Sequence, residues 1–280
     1  PPPAPFQGFI NESLRAKDPY LNQWDFGGSA RLRYEVKEGF GIAGVPGSLD
    51  FRERGRDVDN DYLLTRIRFR AGYTAQWWSA LVEGRSSLAT SDDRFAYTNN
   101  PVVPGTVTRN GRGPESDTID LHQAYITVGN HKEFPVSAKI GRQEMSYGEE
   151  RLVGAFGWNN IGRVFDAAKT RWQNAYFGAD FFVGRVVIPE DEKFNVSNDY
   201  DWFWGTYATI ANVPHNVLEV YFLARNSSQE AIRAVPSPQF PQPSARDIYT
   251  TGFRLKSKPG EIGNWDYTLE SAIQFGDFQD

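Results

Sequence analysis

The sequence contains no cysteine and a single methionine, which excludes a disulfide scaffold and any thiolate-ligated zinc or iron–sulfur centre. It also lacks a long hydrophobic run. The best candidate, Tyr176 to Ile188, is cut by Asp180 and Arg185, so nothing approaches the ~20 apolar residues that a membrane helix needs. No basic start followed by an apolar core is present, and the opening Pro-Pro-Pro-Ala-Pro reads as a stiff linker or as the N-terminus of an already processed chain. Helical periodicity is scarce; only Phe9 to Lys17 offers a short helix.

Catalytic anchors are few as well. With only His122, His131 and His215, and no Gly-x-Ser-x-Gly turn, a Ser-His-Asp hydrolase has no foothold and no enzyme is expected. Gly39-Phe-Gly-Ile-Ala-Gly44 has the form of a dinucleotide fingerprint, but Val45-Pro46-Gly47 follows where a helix is required, so it reads as a loop. Glu149-Glu150, Glu190-Asp191-Glu192 and Asn198-Asp199-Tyr200-Asp201 carry oxygens of the kind calcium takes, yet they fall in long loops where solvated charge is the ordinary explanation. Apart from a calcium ion in a loop, for which Asn198-Asp199-Tyr200-Asp201 is the candidate, no cofactor is expected. The net charge of −5 argues against a nucleic-acid partner.

What the chain does have is alternation. From Trp24 to Lys37, apolar or small residues (Trp24, Phe26, Gly28, Ala30, Leu32, Tyr34, Val36) alternate with polar ones (Asp25, Ser29, Arg31, Arg33, Glu35, Lys37), as in a strand with one apolar and one charged face. The pattern returns at 62–74, where Thr65, Ile67, Phe69, Ala71 and Tyr73 oppose Arg66, Arg68 and Arg70. Further strands are predicted at 77–88, 118–129, 136–143, 163–173, 175–187, 202–210, 217–226, 247–257 and 264–276, about eleven in all. A mean hydropathy of −0.54 does not oppose membrane insertion, because a transmembrane strand hides its apolar residues at alternate positions.

The connections are more telling than the strands. They run alternately long (38–61, 89–117, 144–162, 188–201, 227–246) and short (75–76, 130–135, 174, 211–216, 258–263). In a meander of antiparallel neighbours this puts every tight turn at one end and every large loop at the other, the organisation of an outer-membrane barrel; Greek-key sandwiches show no such order. Aromatic residues near strand ends (Trp24, Phe26, Tyr73, Trp78, Trp172, Phe177, Trp202, Trp265, Phe275) fit interfacial girdles. The fold class is therefore an all-β, transmembrane, antiparallel up-and-down β-barrel over 23–280, preceded by an N-terminal periplasmic segment, 1–22. Trp24, Leu32, Ile67, Phe69, Val82 and Phe253 are expected to face lipid.

The opposite face then lines the lumen. Its cations are Arg31, Arg33, Arg66, Arg68, Arg70, Arg85, Lys139, Lys169, Arg171, Arg225, Arg254 and Lys256, and its anions Asp25, Glu35, Glu83, Asp180, Glu219, Asp266 and Glu270. This surplus of positive charge in an acidic chain is the usual means by which a pore selects anions, and guanidinium groups suit carboxylates. The competing readings are a soluble carbohydrate-active or carbohydrate-binding β-protein and a structural barrel with a plugged lumen.

One block carries a family resemblance. Gly141-Arg-Gln-Glu-Met-Ser-Tyr-Gly-Glu-Glu-Arg-Leu-Val-Gly154, followed by Phe156-Gly-Trp-Asn-Asn-Ile-Gly-Arg-Val-Phe-Asp166, resembles the alginate-export family of outer-membrane porins, and Leu121-His-Gln-Ala-Tyr125 is similar to the strand that precedes this block there. The resemblance implies a barrel of about eighteen strands with a basic lumen through which an anionic polysaccharide, or small anions, cross the outer membrane, with periplasmic secretion components as partners. Eleven strands would leave an open edge, so strands of such a barrel are expected beyond residue 280. It also implies a place for Arg142, Arg163 and Asp166 at the pore constriction, turned inward by a bulge.

Overall fold

The computed structural model describes residues 8–39, 59–92, 115–130, 132–189, 193–228, 230–231 and 245–278. The expected loops 38–61 and 89–117, His131 and most of the Gly39–Gly44 segment lie largely or wholly outside them. A helix, α1 (Phe9–Lys17), and a 3-10 turn, Pro19–Gln23, precede twelve strands. These are β1 (Trp24–Lys37), β2 (Asn60–Thr74), β3 (Trp78–Thr90), β4 (Asp117–Val128), β5 (Val136–Gln143), β6 (Phe165–Gln173), β7 (Phe177–Ile188), β8 (Val196–Ser197), β9 (Asp201–Val213), β10 (Asn216–Ser227), β11 (Arg246–Ser257) and β12 (Thr268–Phe278). Strand order in the sheet is chain order, except that the two-residue β8 pairs only with β7, and β7 passes directly to β9. Each pairing is antiparallel. The expected up-and-down meander is what forms, β8 being the one strand that periodicity does not show because it is too short to have a period.

The sheet is inside out by the standards of a soluble protein. Its apolar row is open, with Leu32 75%, Phe69 71%, Ile119 77%, Ile140 62% and Ile273 68% exposed, whereas Glu83, Arg85, Asp180 and Arg254 on the other face are buried. Water would drive the reverse arrangement, since contiguous exposed apolar surface is unfavourable and buried charge costly; a bilayer against the apolar face removes the conflict. Trp24, Leu32, Ile67, Phe69, Val82 and Phe253 all belong to the open row. Rings gather at both ends of it. Trp24 lies 5.1 Å from Tyr73, and Tyr73 5.2 Å from Trp78, at the turn end; Phe222, Tyr249 and Phe275 stack in sequence towards the loop end.

The sheet must also be curled. Glu149 bonds Arg254 on β11, and Gly157 accepts from Arg31 on β1. Laid flat, those strands would stand about 43 Å apart at the usual strand spacing, while eight residues span at most ~29 Å fully extended. This segment is far from extended, being folded back by the bond from Tyr147 N–H to Val153 O. Bulges help the sheet to bend. One falls on β4, where the register with β3 slips at His122. At Gly141 on β5, φ is +125°, and a Cβ there would collide with the Ala124 carbonyl, so only glycine fits.

Helix α1 is tied to the first strand by Asn11. Its amide donates to Asp25 at 2.9 Å, and its carbonyl accepts from Phe26 N–H at 2.8 Å.

Candidate functional site

The inner faces of β1, β2 and β3 bring like charges together. Register sets Arg31 opposite Arg66, and Arg68 opposite Arg85, pairings that are unfavourable unless something neutralises them. Part of the relief is acidic. Arg68 meets Glu144 at 3.2 Å and Glu83 at 3.6 Å; Arg70 meets Asp25 at 2.8 Å; Arg33 meets Glu35 at 2.6 Å and Glu115 at 3.5 Å. Arg70 has room because Gly27 sits opposite it, where a Cβ would come to 3.0 Å of the guanidinium carbon.

The rest of the relief comes from the long connection between β5 and β6, residues 144–164, which folds onto this inner wall. Arg31 and Arg66 both donate to the carbonyls of Gly157 and Asn159, each at 3.1 Å. Arg33 donates to the Trp158 carbonyl and Arg85 to that of Ile161. Asn160, fully buried, fastens the loop. Its amide nitrogen reaches the carbonyls of Thr65, Leu88 and Glu115 at 3.0, 3.2 and 3.1 Å, so its two hydrogens serve three acceptors. Its backbone N–H donates to Glu115 and its carbonyl accepts from Ser87.

The bulge on β4 supplies the hinge between wall and loop. His122, wholly buried, lies 2.9 Å from Arg85 through Nδ1 and 2.8 Å from Glu144 through Nε2. A guanidinium only donates, so Nδ1 accepts and Nε2 carries the proton given to Glu144. Burial pushes the Glu144 carboxyl up, but the hydrogen bond from His122 and the charge of Arg68 outweigh it and hold the group below its usual value.

The first part of the loop is anchored by apolar contact. Met145 and Val153 pack with Phe165, Ala167, Phe182, Tyr207, Tyr221 and Leu223 from β6, β7, β9 and β10. Tyr147 stacks on Tyr207 at 4.6 Å and on Phe182 at 5.5 Å, and its hydroxyl donates to Asp180 at 3.0 Å. Burial, then the Asp180 charge, raise that hydroxyl well above its ordinary value. Asp180 also holds Lys169 at 3.3 Å and Arg171 at 2.7 Å. On the far side Glu149 meets Arg254 at 3.2 Å and Lys256 at 3.6 Å, and Arg254 also pairs with Glu219. The Arg254 hydrogen bond keeps the Glu149 carboxyl below its usual value.

Two expectations are revised by this placement. Arg142 and Asp166 form a two-bond pair at 2.8 and 3.1 Å, but they do not turn inward. Phe165 and Ala167 on either side of Asp166 belong to the inner core, so Asp166 points the other way, and Arg142 with it. There Arg142 lies under Phe194 and donates to the Asn195 carbonyl. β4 pairs with β5 only over Ala124–Val128, and above that point the seam is filled by Asn195, whose amide reaches Asp117 and Asp120. Arg163 lies on the loop, exposed, with its guanidinium over the Phe156 ring at 6.0 Å. The surplus of positive charge counted on strands is likewise offset, because Glu115, Asp117, Glu144, Glu149 and Asp201 are brought against Arg33, Arg85, Arg68, Arg254 and Arg225. Lys139 sits 3.6 Å over the Tyr125 ring. The oxygens of the 198–201 segment go to cations: Asp201 to Arg225 and Asp199 to Arg185.

Arg31, Arg33, Arg66, Arg68 and Arg85 are thus gathered around the loop, while Lys169 and Arg171 share Asp180, Arg254 meets the loop's other arm, and Arg70 stands apart on Asp25. His122, Glu144, Tyr147 and Asn160 are the members that strand alternation does not reveal. Their one signal is that all four fall within the two motif blocks, 121–125 and 141–166.

A search of the curated proteins finds no match to this chain. The family described as alginate export matches it over residues 22–280, which takes in every strand and the whole of the inner loop. With its apolar face outward, its charged face inward and this match over nearly its full length, the chain belongs to the alginate export family, outer-membrane β-barrel proteins of polysaccharide transport.

Proposed function

We propose that the inner wall of β1 to β3 and the loop 144–164 together form the constriction of an anion-selective channel that passes an acidic polysaccharide through the outer membrane. The observation that carries this reading is the state of Arg31 and Arg66. Among the described residues their guanidiniums have amide and carbonyl oxygens for hydrogen-bond partners and no carboxylate, so neither positive charge is paired directly with an acidic group. Carbonyl oxygens orient a guanidinium; a carboxylate arriving from the lumen gains the charge interaction as well. Repeated weak sites of this kind let a charged polymer bind and leave in steps, with no covalent chemistry.

Reversal potentials in a planar bilayer under a salt gradient test the reading. The native protein should prefer anions, and the Arg31→Gln, Arg66→Gln double variant should lose most of that preference while remaining a folded barrel. A native channel without ion preference, or a double variant as anion-selective as the native protein, would refute it. Arg68 and Arg70 are poorer targets, since each holds a carboxylate of the wall or loop and reversing them breaks structure as well as charge.

A further inference from the structure

The loop that holds the wall arginines also turns aromatic rings away from them. Trp158 lies between the two residues whose carbonyls bind Arg31 and Arg66, yet it is 70% exposed, and Phe156 beside it is 54% exposed. Inner strands and loop elsewhere hide their rings: Tyr147 stacks, and Phe165, Phe182, Tyr207 and Tyr221 are buried. Phe156 is moreover held at φ +54°, a conformation costly for a bulky side chain and one that persists only where the surroundings impose it. The expense keeps an apolar ring in the open. A Cβ added at Gly157, between the two residues in the chain, would meet nothing within 4 Å, so the loop tip is open on that side.

Each exposed ring carries a guanidinium. Arg33 lies over the Trp158 ring at 4.4 Å, and Arg163 over Phe156 at 6.0 Å. Arg33 is already engaged by Glu35 and the Trp158 carbonyl, so it fixes the indole. Arg163 is exposed, and among the described residues no carboxylate meets it. Small inorganic anions gain nothing from an aromatic face. A pyranose ring gains contact with its C–H face, and a carboxylate on that ring finds a planar double donor in Arg163.

We infer that the loop tip formed by Phe156, Trp158 and Arg163, with Arg33 as the residue that positions the indole, is a binding subsite for one acidic sugar ring: the aromatic faces take the pyranose and Arg163 takes its carboxylate. The inference rests on the channel reading above, and adds that the constriction recognises the sugar and not only its charge.

Block of the chloride current by uronate oligomers, compared with neutral oligomers of equal length, tests it in the purified protein. The Phe156→Ala, Trp158→Ala double variant should raise the half-blocking uronate concentration by about tenfold, the loss expected on truncating aromatic anchors. Trp158→Phe should restore most of the block. Arg163→Gln should narrow the gap between uronate and neutral-oligomer block, leaving the part that Arg31 and Arg66 supply. Uronate block that is the same in the native and double-variant proteins would overturn the subsite, as would equal block by uronate and neutral oligomers in the native protein. Failure of the channel reading registers separately, as absent anion preference in the native reversal potential. Tryptophan fluorescence of detergent-solubilised protein titrated with uronate oligomers keeps the subsite testable even then, because a quench in the native protein that Trp158→Phe abolishes supports it and no quench overturns it.

Discussion

Arg31 and Arg66 stand directly opposite each other on β1 and β2 and donate to the same two carbonyl oxygens, those of Gly157 and Asn159. Cross-strand pairs of like charge work against a sheet, so this arrangement costs stability and is retained by the loop that chelates both groups. The relation ties constriction to wall: if the loop leaves, the two guanidiniums lose their described partners together.

Asn160 is the fastening that should decide whether the loop stays. Replacing it with alanine removes donors from the Thr65, Leu88 and Glu115 carbonyls, at about 1 kcal/mol for each hydrogen bond and more where a carbonyl is left buried without a donor. Asn160→Ala should raise single-channel conductance and current noise, and open the segment 150–158 to protease, with the barrel still resistant to unfolding in detergent. Native-like conductance and protection would show that the loop is held by its apolar arm alone.

Acid should loosen the same loop. Glu144 and Glu149 both titrate below their ordinary value in the folded chain, so the stability they lend is complete above the unfolded value and is lost as pH falls through the lowered one. Conductance should be steady from neutral pH through the ordinary glutamate range, about 4.3, and become noisy only below it, as both carboxylates lose charge. Glu144→Gln, which removes the charge but keeps an oxygen near His122, should show part of this noise at neutral pH. A pH-independent trace in the native protein would contradict the role given to these pairs.

The strands were legible because their faces meet two different solvents. Period two survives wherever one face touches lipid and the other water or charge, and so β2, β5 and β11 fall within two residues of their predicted bounds. The beginnings of β6 and β12 shift inward for a local reason: Arg163 N–H still bonds Ala155 O within the loop, and Trp265 N–H closes a turn on Ile262 O. The path of the 144–164 loop was not legible, because alternation says nothing of where a connection goes once it leaves the sheet. Nor was the inward turn of His122, since a bulge inserts one residue and resets the phase for every residue beyond it. Arg142 shows the same limit from the other side, its partner Asp166 being fixed by two core neighbours that sequence spacing does not separate from lumen residues.

The apolar row predicts its own accessibility. Single cysteines at Leu32, Phe69, Ile140 and Ile273, in a chain that has none of its own, should react with a lipid-soluble maleimide in bilayers and resist a bulky water-soluble one. Cysteines replacing Trp158 or Arg163 should show the opposite preference. The reverse pattern would exchange the two faces of the sheet.

Gly141 gives a structural test independent of transport. Its φ of +125° and the Ala124 carbonyl in the way of any Cβ mean that Gly141→Ala should lower barrel stability by about 1–3 kcal/mol, the range for a residue forced into a sparsely populated conformation. Unfolding in urea reads it directly, and an unchanged midpoint would show that the strand accepts a side chain at this position.

The central claim, that wall arginines without a direct acidic partner and the loop they hold carry an acidic polymer across the membrane, is tested most directly by flux. Proteoliposomes containing the native protein should release a loaded polyuronate much faster than a neutral polysaccharide of equal length, and the Arg31→Glu, Arg66→Glu protein, shown to be a folded barrel, should release the two at similar rates. Equal release of both polymers by the native protein, or polyuronate release that the double variant leaves intact, would contradict the account.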